Sequence, residues 1–114
     1  MEISVKSFAE ANDFKIVAGV GGLENKITCV YICDLLSWVM GKAPESSAWI
    51  TIQSHVNIVA VTMLTGSACI IVAEGSAIDP DTIAKADSED IPILSTKLSA
   101  YEISKIFMRL ENAQ

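Results

Sequence analysis

Residues 48–74, AWITIQSHVNIVAVTMLTGSACIIVAE, decide the fold. The run 48–52 is short and apolar and contains β-branched Ile50, Thr51 and Ile52. The run 68–73 is a second of the same kind, and neither alternates polar with apolar residues as a half-exposed strand would. Strands apolar on both faces belong to parallel sheets covered by helices. Between them, residues 56–64 are apolar nearly all round, which predicts a helix buried on more than one side. Thr65-Gly66-Ser67 supplies the turn back. The stretch therefore reads as a βαβ unit.

Working outward, Ser4 is placed to cap a helix over 4–12 whose Val5, Phe8 and Ala9 share one face. Residues 14–18 read as a strand, 19–22 (GVGG) as a flexible turn and 29–33 (CVYIC) as a further strand. The GVGG run precedes no helix and lacks the Lys-Ser/Thr of a phosphate loop. Asp34 is expected to cap a short helix over 35–40 that Gly41 stops. On the C-terminal side, Asp79 and Pro80 mark a helix start, and that helix carries Ile83, Ala84 and Ala86. Residues 91–95 form a strand whose Pro92 points to a sheet edge or a strand beginning. Ser99 and Glu102 make a capping box, flanked by Leu98 and Ile103 as a staple. The last helix, 100–110, has Ile103, Ile106, Phe107 and Leu110 on its core face.

No linker or repeat divides residues 1–114, so one domain is expected. The alternation of elements and right-handed crossovers place helices on both faces of a mostly parallel sheet of about five strands. The predicted class is α/β, a three-layer α/β/α sandwich.

The composition constrains partners. With 51% apolar and only 19% charged residues, and a mean hydropathy of +0.42, too few charges remain to cover the surface. Self-association is expected, with Val56, Val59 and Met63 as candidate interface residues. Trp38, Trp49 and Met40 read as core or subunit interface. The net charge of -6, with eight basic residues scattered from Lys6 to Arg109, argues against nucleic acid and anionic membranes. Residues 56–73 approach the length of a membrane span, but the Thr65-Gly66-Ser67 break and the absence of flanking basic residues exclude it. The N-terminal MEISVKSFAE has no apolar signal region, so a cytoplasmic location is expected.

In open parallel sheets, ligands sit beyond the carboxyl ends of the strands. Those positions hold Asp34, Gln53, Ser54, His55, Asn57, Glu74, Gly75 and Ser76, with Ser95 and Thr96 further along. The first eight are the candidate ligand residues, and exposed amides at the start of the helix after His55 favour an anion. The competing reading is that these side chains only cap helices and close turns. His55, the single histidine, lacks a recognisable nucleophile, and Asp34 or Glu74 is its candidate orienting partner. Cys29, Cys33 and Cys69 read as reduced, apolar-like thiols, too few for the usual four-cysteine iron–sulfur site. No metal, cofactor or catalytic residue is expected.

Several segments together carry a family resemblance. ICDLLSWVM (32–40), AWITIQSHVNIVAV (48–61), ACIIVAEG (68–75) and IPILSTKLSAYEISKIF (91–107) resemble the DRTGG domain family. The likeness is strongest to its short stand-alone members, encoded near iron-only hydrogenase genes in anaerobic bacteria. The segment SFAEANDFKIVAGVGGLENKI (7–27) is similar to the opening of the HPr kinase N-terminal domain. The resemblance implies a dimerising α/β regulatory module, found elsewhere beside nucleotide-sensing CBS pairs or phosphotransacetylase domains. It brings no catalytic residues. The chain departs from the family signature: Asn57 without an arginine stands where Asp-Arg is expected, and Ala73-Glu74-Gly75 where Thr-Gly-Gly is expected. The resulting expectation is a non-enzymatic, dimeric, ligand-sensing module for a small anion or nucleotide, linked to a hydrogenase or energy-metabolism system. The alternatives are an electron-transfer or accessory subunit of an iron-only hydrogenase and a pure protein–protein assembly subunit.

Overall fold

The computed structural model describes residues 1–113. In chain order the elements are β1 (Ile3–Ser4), α1 (Val5–Ala11), β2 (Lys15–Ala18), a 3₁₀ turn (Val20–Gly22), β3 (Lys26–Ile27), β4 (Cys29–Ile32), α2 (Leu36–Lys42), β5 (Ser47–Thr51), α3 (Asn57–Thr65), β6 (Cys69–Val72), α4 (Pro80–Ser88), β7 (Ile93–Ser95) and α5 (Ala100–Asn112). The main sheet has the order β2-β7-β6-β5-β4, and β1 pairs with β3 in a separate two-stranded sheet. Strands β4 to β7 are mutually parallel, whereas β2 runs antiparallel to β7. This is the α/β architecture the sequence predicts, a mostly parallel sheet of five strands between helical layers.

The uniformly apolar runs take the interior places. Every residue of β5 and β6 is buried, because both strands have neighbours on each side and helices over each face. Side-chain alternation divides their residues between two cores. Ala48, Ile50, Cys69, Ile71 and Leu94 pack with Val5, Phe8, Phe14, Ile103 and Phe107 from the α1 and α5 side. There the Phe8 ring stacks on Phe107 at 4.4 Å, and Phe14 meets Phe8 edge-on at 5.1 Å. Trp49, Ile70, Val72 and Ile93 pack with Val39, Ile58, Val59, Val61 and Ala86 from the α2, α3 and α4 side.

The helix ends follow their capping residues in part. Ser4 accepts from the Ser7 amide, and Ser99 and Glu102 close the expected capping box. Gly66, at φ 71°, ends α3 in the left-handed conformation that glycine adopts without penalty. Asp79 stands at the start of α4, ahead of Pro80, but its side chain caps nothing there.

Four expectations are corrected, and one element is added to them. Asp34 does not cap α2, which starts after Leu35 with no side-chain cap, and Gly41 lies inside that helix. The GVGG segment is no flexible turn: Gly19, at φ 76°, is wedged so that a Cβ would fall 1.9 Å from the Ile91 carbonyl oxygen. Its amide donates to Asp87 Oδ1 at 2.8 Å. The β1–β3 pair is too short to leave a period in the sequence. Lastly, α3 is buried on one side only: Ile58, Val59, Val61 and Thr62 face inward, while Val56, Met63 and Leu64 are exposed.

Candidate functional site

The expected ligand residues do gather at the carboxyl ends of β4, β5 and β6. Several of their side chains are taken up by hydrogen bonds to groups at the strand ends. Asp34 Oδ1 accepts from Thr51 Oγ1 at 2.8 Å and from the Ile52 amide at 2.9 Å, tying the end of β4 to the end of β5. Gln53 Nε2 donates back to the Asp34 carbonyl at 2.9 Å. Ser76 Oγ donates to the Ile52 carbonyl at 3.2 Å, and the Ser54 carbonyl accepts from Thr82 Oγ1 at 2.8 Å. These bonds replace the backbone pairing that stops where the strands end.

His55 has neither of its expected partners. Its Nδ1 lies 2.8 Å from Asp79 Oδ2, with side-chain exposures of 71% and 48%. A contact so open to water contributes at most about 1 kcal/mol. This contact explains why Asp79 leaves α4 without a side-chain cap. Asn57 opens α3, exposed, and two first-turn amides already have acceptors: Ile58 donates to His55 O and Val59 to Val56 O. Among the three expected interface residues, Val56 and Met63 are 45% and 52% exposed, but Val59 is fully buried against the sheet. Val59 is therefore a core residue, because it falls on the inner stripe of α3.

A cleft of about 460 Å³ opens beside this cluster, lined by Asp13, Lys15, Gly75, Ser95, Thr96 and Lys97. It lies beyond the carboxyl ends of β6 and β7, the region where open parallel sheets bind ligands. The Glu74 and Gly75 amides donate to Leu98 O and Thr96 O, so the turn after β6 is laced to the loop after β7. Both turn residues have positive φ, 64° and 66°, which Gly75 adopts freely and Glu74 only under such constraint. Among the described residues, neither Lys15 nor Lys97 has a carboxylate within ion-pair distance. Two unpaired cations in one hollow suit a phosphate or carboxylate, and Asp13 adds an acceptor for hydroxyl or amino groups.

Of the sequence candidates only Gly75 lines this cleft. Asp13 and Lys15 join it because β2 runs antiparallel, which carries the start of that strand to the carboxyl edge of its neighbour, a placement no local sequence signal marks. Lys97 had a readable signal, directly after Ser95-Thr96 at a strand end.

The thiols match the apolar reading in part. Burial pushes Cys69 up to about 12, so it stays protonated at neutral pH. Cys29 and Cys33 are partly exposed on the edge strand and just beyond it. Desolvation first, then the adjacent Cys33 thiol, raise the Tyr31 phenol above its ordinary value. Among the described residues, no three His, Cys, Asp or Glu side chains are grouped to hold a metal ion. Nor, among them, is any helix long and apolar enough to cross a membrane.

No family model and no curated protein matches this chain. A solved structure does: the CBS and DRTGG domains of the regulatory region of Clostridium perfringens pyrophosphatase, complexed with the activator diadenosine tetraphosphate. The TM-score is 0.70 at 13% identity over 90% of this chain. The chain is thus similar in fold to part of that regulatory region, and spans 44% of its length. Its fold is DRTGG-like.

Proposed function

We propose that this chain is a non-enzymatic, ligand-sensing regulatory module that binds a small anion of the phosphate or nucleotide class in the Lys15–Lys97 cleft. The observation that carries the reading is the cleft itself. In a chain of net charge -6, two unpaired lysines beyond the carboxyl ends of β6 and β7 make a local positive site. Asp13, on the same wall, suits a ribose hydroxyl or an amino group, so a nucleotide matches the lining better than free phosphate. His55 is held by an exposed carboxylate, and among the described residues no hydroxyl or thiol is hydrogen-bonded to it, which favours binding over catalysis. The fold's likeness to a nucleotide-activated regulatory region supports the same direction. The reading includes a dimer and a client enzyme, for which the sequence resemblance points to a hydrogenase or another energy-metabolism system.

Calorimetric titration with inorganic phosphate, AMP, ATP and diadenosine tetraphosphate tests it. At least one of these should bind, and Lys15→Ala and Lys97→Ala should each weaken it by about tenfold or more, the size of one charge-assisted hydrogen bond. Binding unchanged in both variants would move the ligand away from this cleft. A second reading, a pure assembly subunit, is favoured by the uncovered outer side of α3. It predicts no heat with any of the four ligands.

A further inference from the structure

A second hollow opens on the flank of α5 and shares no lining residue with the Lys15–Lys97 cleft. It measures about 210 Å³ and is lined by Leu98, Glu102, Lys105, Ile106 and Arg109. Leu98 and Ile106 are half-buried against the core that holds Ile103 and Phe107, and so give the hollow an apolar floor. Lys105 and Arg109 are exposed and stand one helical turn apart on its rim. Like charges at that spacing repel, and among the described residues neither has a carboxylate within ion-pair distance. Glu102, three residues before Lys105, is engaged elsewhere. Its Oε1 accepts from the Ser99 amide at 3.1 Å and from Ser99 Oγ at 3.2 Å, which turns the carboxylate toward the start of the helix. In a chain with 14 acidic and 8 basic residues, two adjacent unpaired cations over an apolar floor stand out.

We propose that this hollow docks an acidic segment of a partner protein, with one apolar side chain on the Leu98–Ile106 floor and carboxylates on Lys105 and Arg109. The inference goes beyond the anion-binding reading and does not depend on it. Size and charge select the occupant. Small-molecule sites enclose roughly 300–1,000 Å³, so about 210 Å³ suits an anchoring side chain better than a nucleotide. An inorganic anion would use the two cations and leave the floor in water. An apolar centre with a charged rim is how protein interfaces are built, and anchors seated in such pockets carry most of their binding energy. Arg109, the chain's single arginine, presents the planar fork that holds a carboxylate through two parallel hydrogen bonds. Side chains one helical turn apart have their Cβ atoms roughly 5–6 Å apart. The matching segment therefore carries two carboxylates at similar spacing, at i and i+4 of a helix or at alternate positions of an extended chain. Glu102 repels a carboxylate at its own end of the hollow, which orients the segment with its acidic part toward Arg109.

Panning a random-peptide phage library against the full chain tests the site, with the Lys105→Glu, Arg109→Glu double variant as counter-selection. Both side chains are exposed, so the variant should keep the wild-type circular dichroism spectrum. Should it fail to fold, Lys105→Gln with Arg109→Gln takes its place. Peptides retained by the wild type alone are expected to combine paired acidic residues with an apolar one. A synthetic peptide of the consensus should bind the wild type and weaken by about tenfold or more with Arg109→Ala, the size of one charge-assisted hydrogen bond. It should weaken again when its own apolar residue is replaced by alanine. Selected peptides without an acidic excess, or none that distinguish wild type from variant, overturn the proposal. A consensus peptide indifferent to loss of its apolar residue overturns the anchor and leaves a bare anion site. Binding lost in Lys15→Ala or Lys97→Ala but kept in Arg109→Ala moves the peptide to the other cleft and overturns the assignment to α5.

Discussion

Helices α3 and α5 cover the same sheet from opposite sides, and their inner faces are built alike. Ile103 and Phe107 fill one core as Ile58 and Val59 fill the other, all four essentially inaccessible to water. Their outer faces differ. Helix α5 sets Glu102, Lys105, Arg109 and Glu111 among its exposed residues, and Lys105 lies over the Tyr101 ring at 5.4 Å. Helix α3 has no charged residue at all. Covering a sheet requires one apolar stripe; it does not require Val56, Met63 and Leu64 on the far side. The contrast separates a helix whose outer side carries charges from one whose outer side is apolar and exposed. It also divides one helix, since adjacent positions on α3 have opposite duties.

The sharpest way to break that division is Val59→Asp. Val59 is fully buried and packs with Ile58, Ile70 and Val72 in the core over the sheet. An uncompensated ion there costs several kcal/mol, comparable with the about 5–15 kcal/mol that holds an ordinary domain together. The expected outcome is loss of the cooperative melting transition seen by circular dichroism, whereas Leu64→Asp, five residues away on the exposed side, should keep it. A folded Val59→Asp that merely dissociates would place this residue on the outer face and dissolve the distinction.

Next in size is Phe107→Ala on α5. The ring stacks on Phe8 and is 1% exposed, so truncation leaves a cavity and should cost about 3–5 kcal/mol in denaturant unfolding. The loss should be the same at low and high protein concentration, because Phe107 packs entirely within the core of one chain. A concentration-dependent cost would mean that this side of the sheet also serves an interface.

How legible these differences were depended on the range of the interactions behind them. The βαβ unit was readable because burial on both faces leaves β5 and β6 uniformly apolar, a pattern within single segments. The capping box was readable because Ser99 and Glu102 satisfy each other within one turn. The direction of β2 was not, since nothing local to KIVA distinguishes antiparallel from parallel pairing with β7, 75 residues or so later in the chain. That one direction decides which residues line the cleft, and so Asp13 and Lys15 escaped notice. Asp34 departs from the expected cap for a related reason: a carboxylate ahead of a helix resembles a cap, and only the sheet brings the Thr51 hydroxyl and the Ile52 amide to it. Val59 falls with Val56 and Met63 at helical spacing, and such spacing gives stripes without stating which one faces the sheet. In a helix apolar all round, the usual clue, a polar side, is missing.

The smallest effect tests how α5 is completed at its start, where α3 has no side-chain cap. Ser99 Oγ accepts from the Glu102 amide at 3.2 Å, and Glu102 Oε1 accepts from the Ser99 amide at 3.1 Å. Ser99→Ala removes the first bond and leaves the Glu102 amide to water, with an expected cost of about 1 kcal/mol. Glu102→Ala removes the second, together with a carboxylate favourably placed at the positive end of the helix dipole. The carboxylate also accepts from Ser99 Oγ at 3.2 Å, so the two side chains hold each other in their capping rotamers. The double variant should therefore lose less stability than the two single losses combined, as measured by chemical denaturation of all four proteins. Strict additivity would mean that each side chain caps independently and that the two do not hold each other in place.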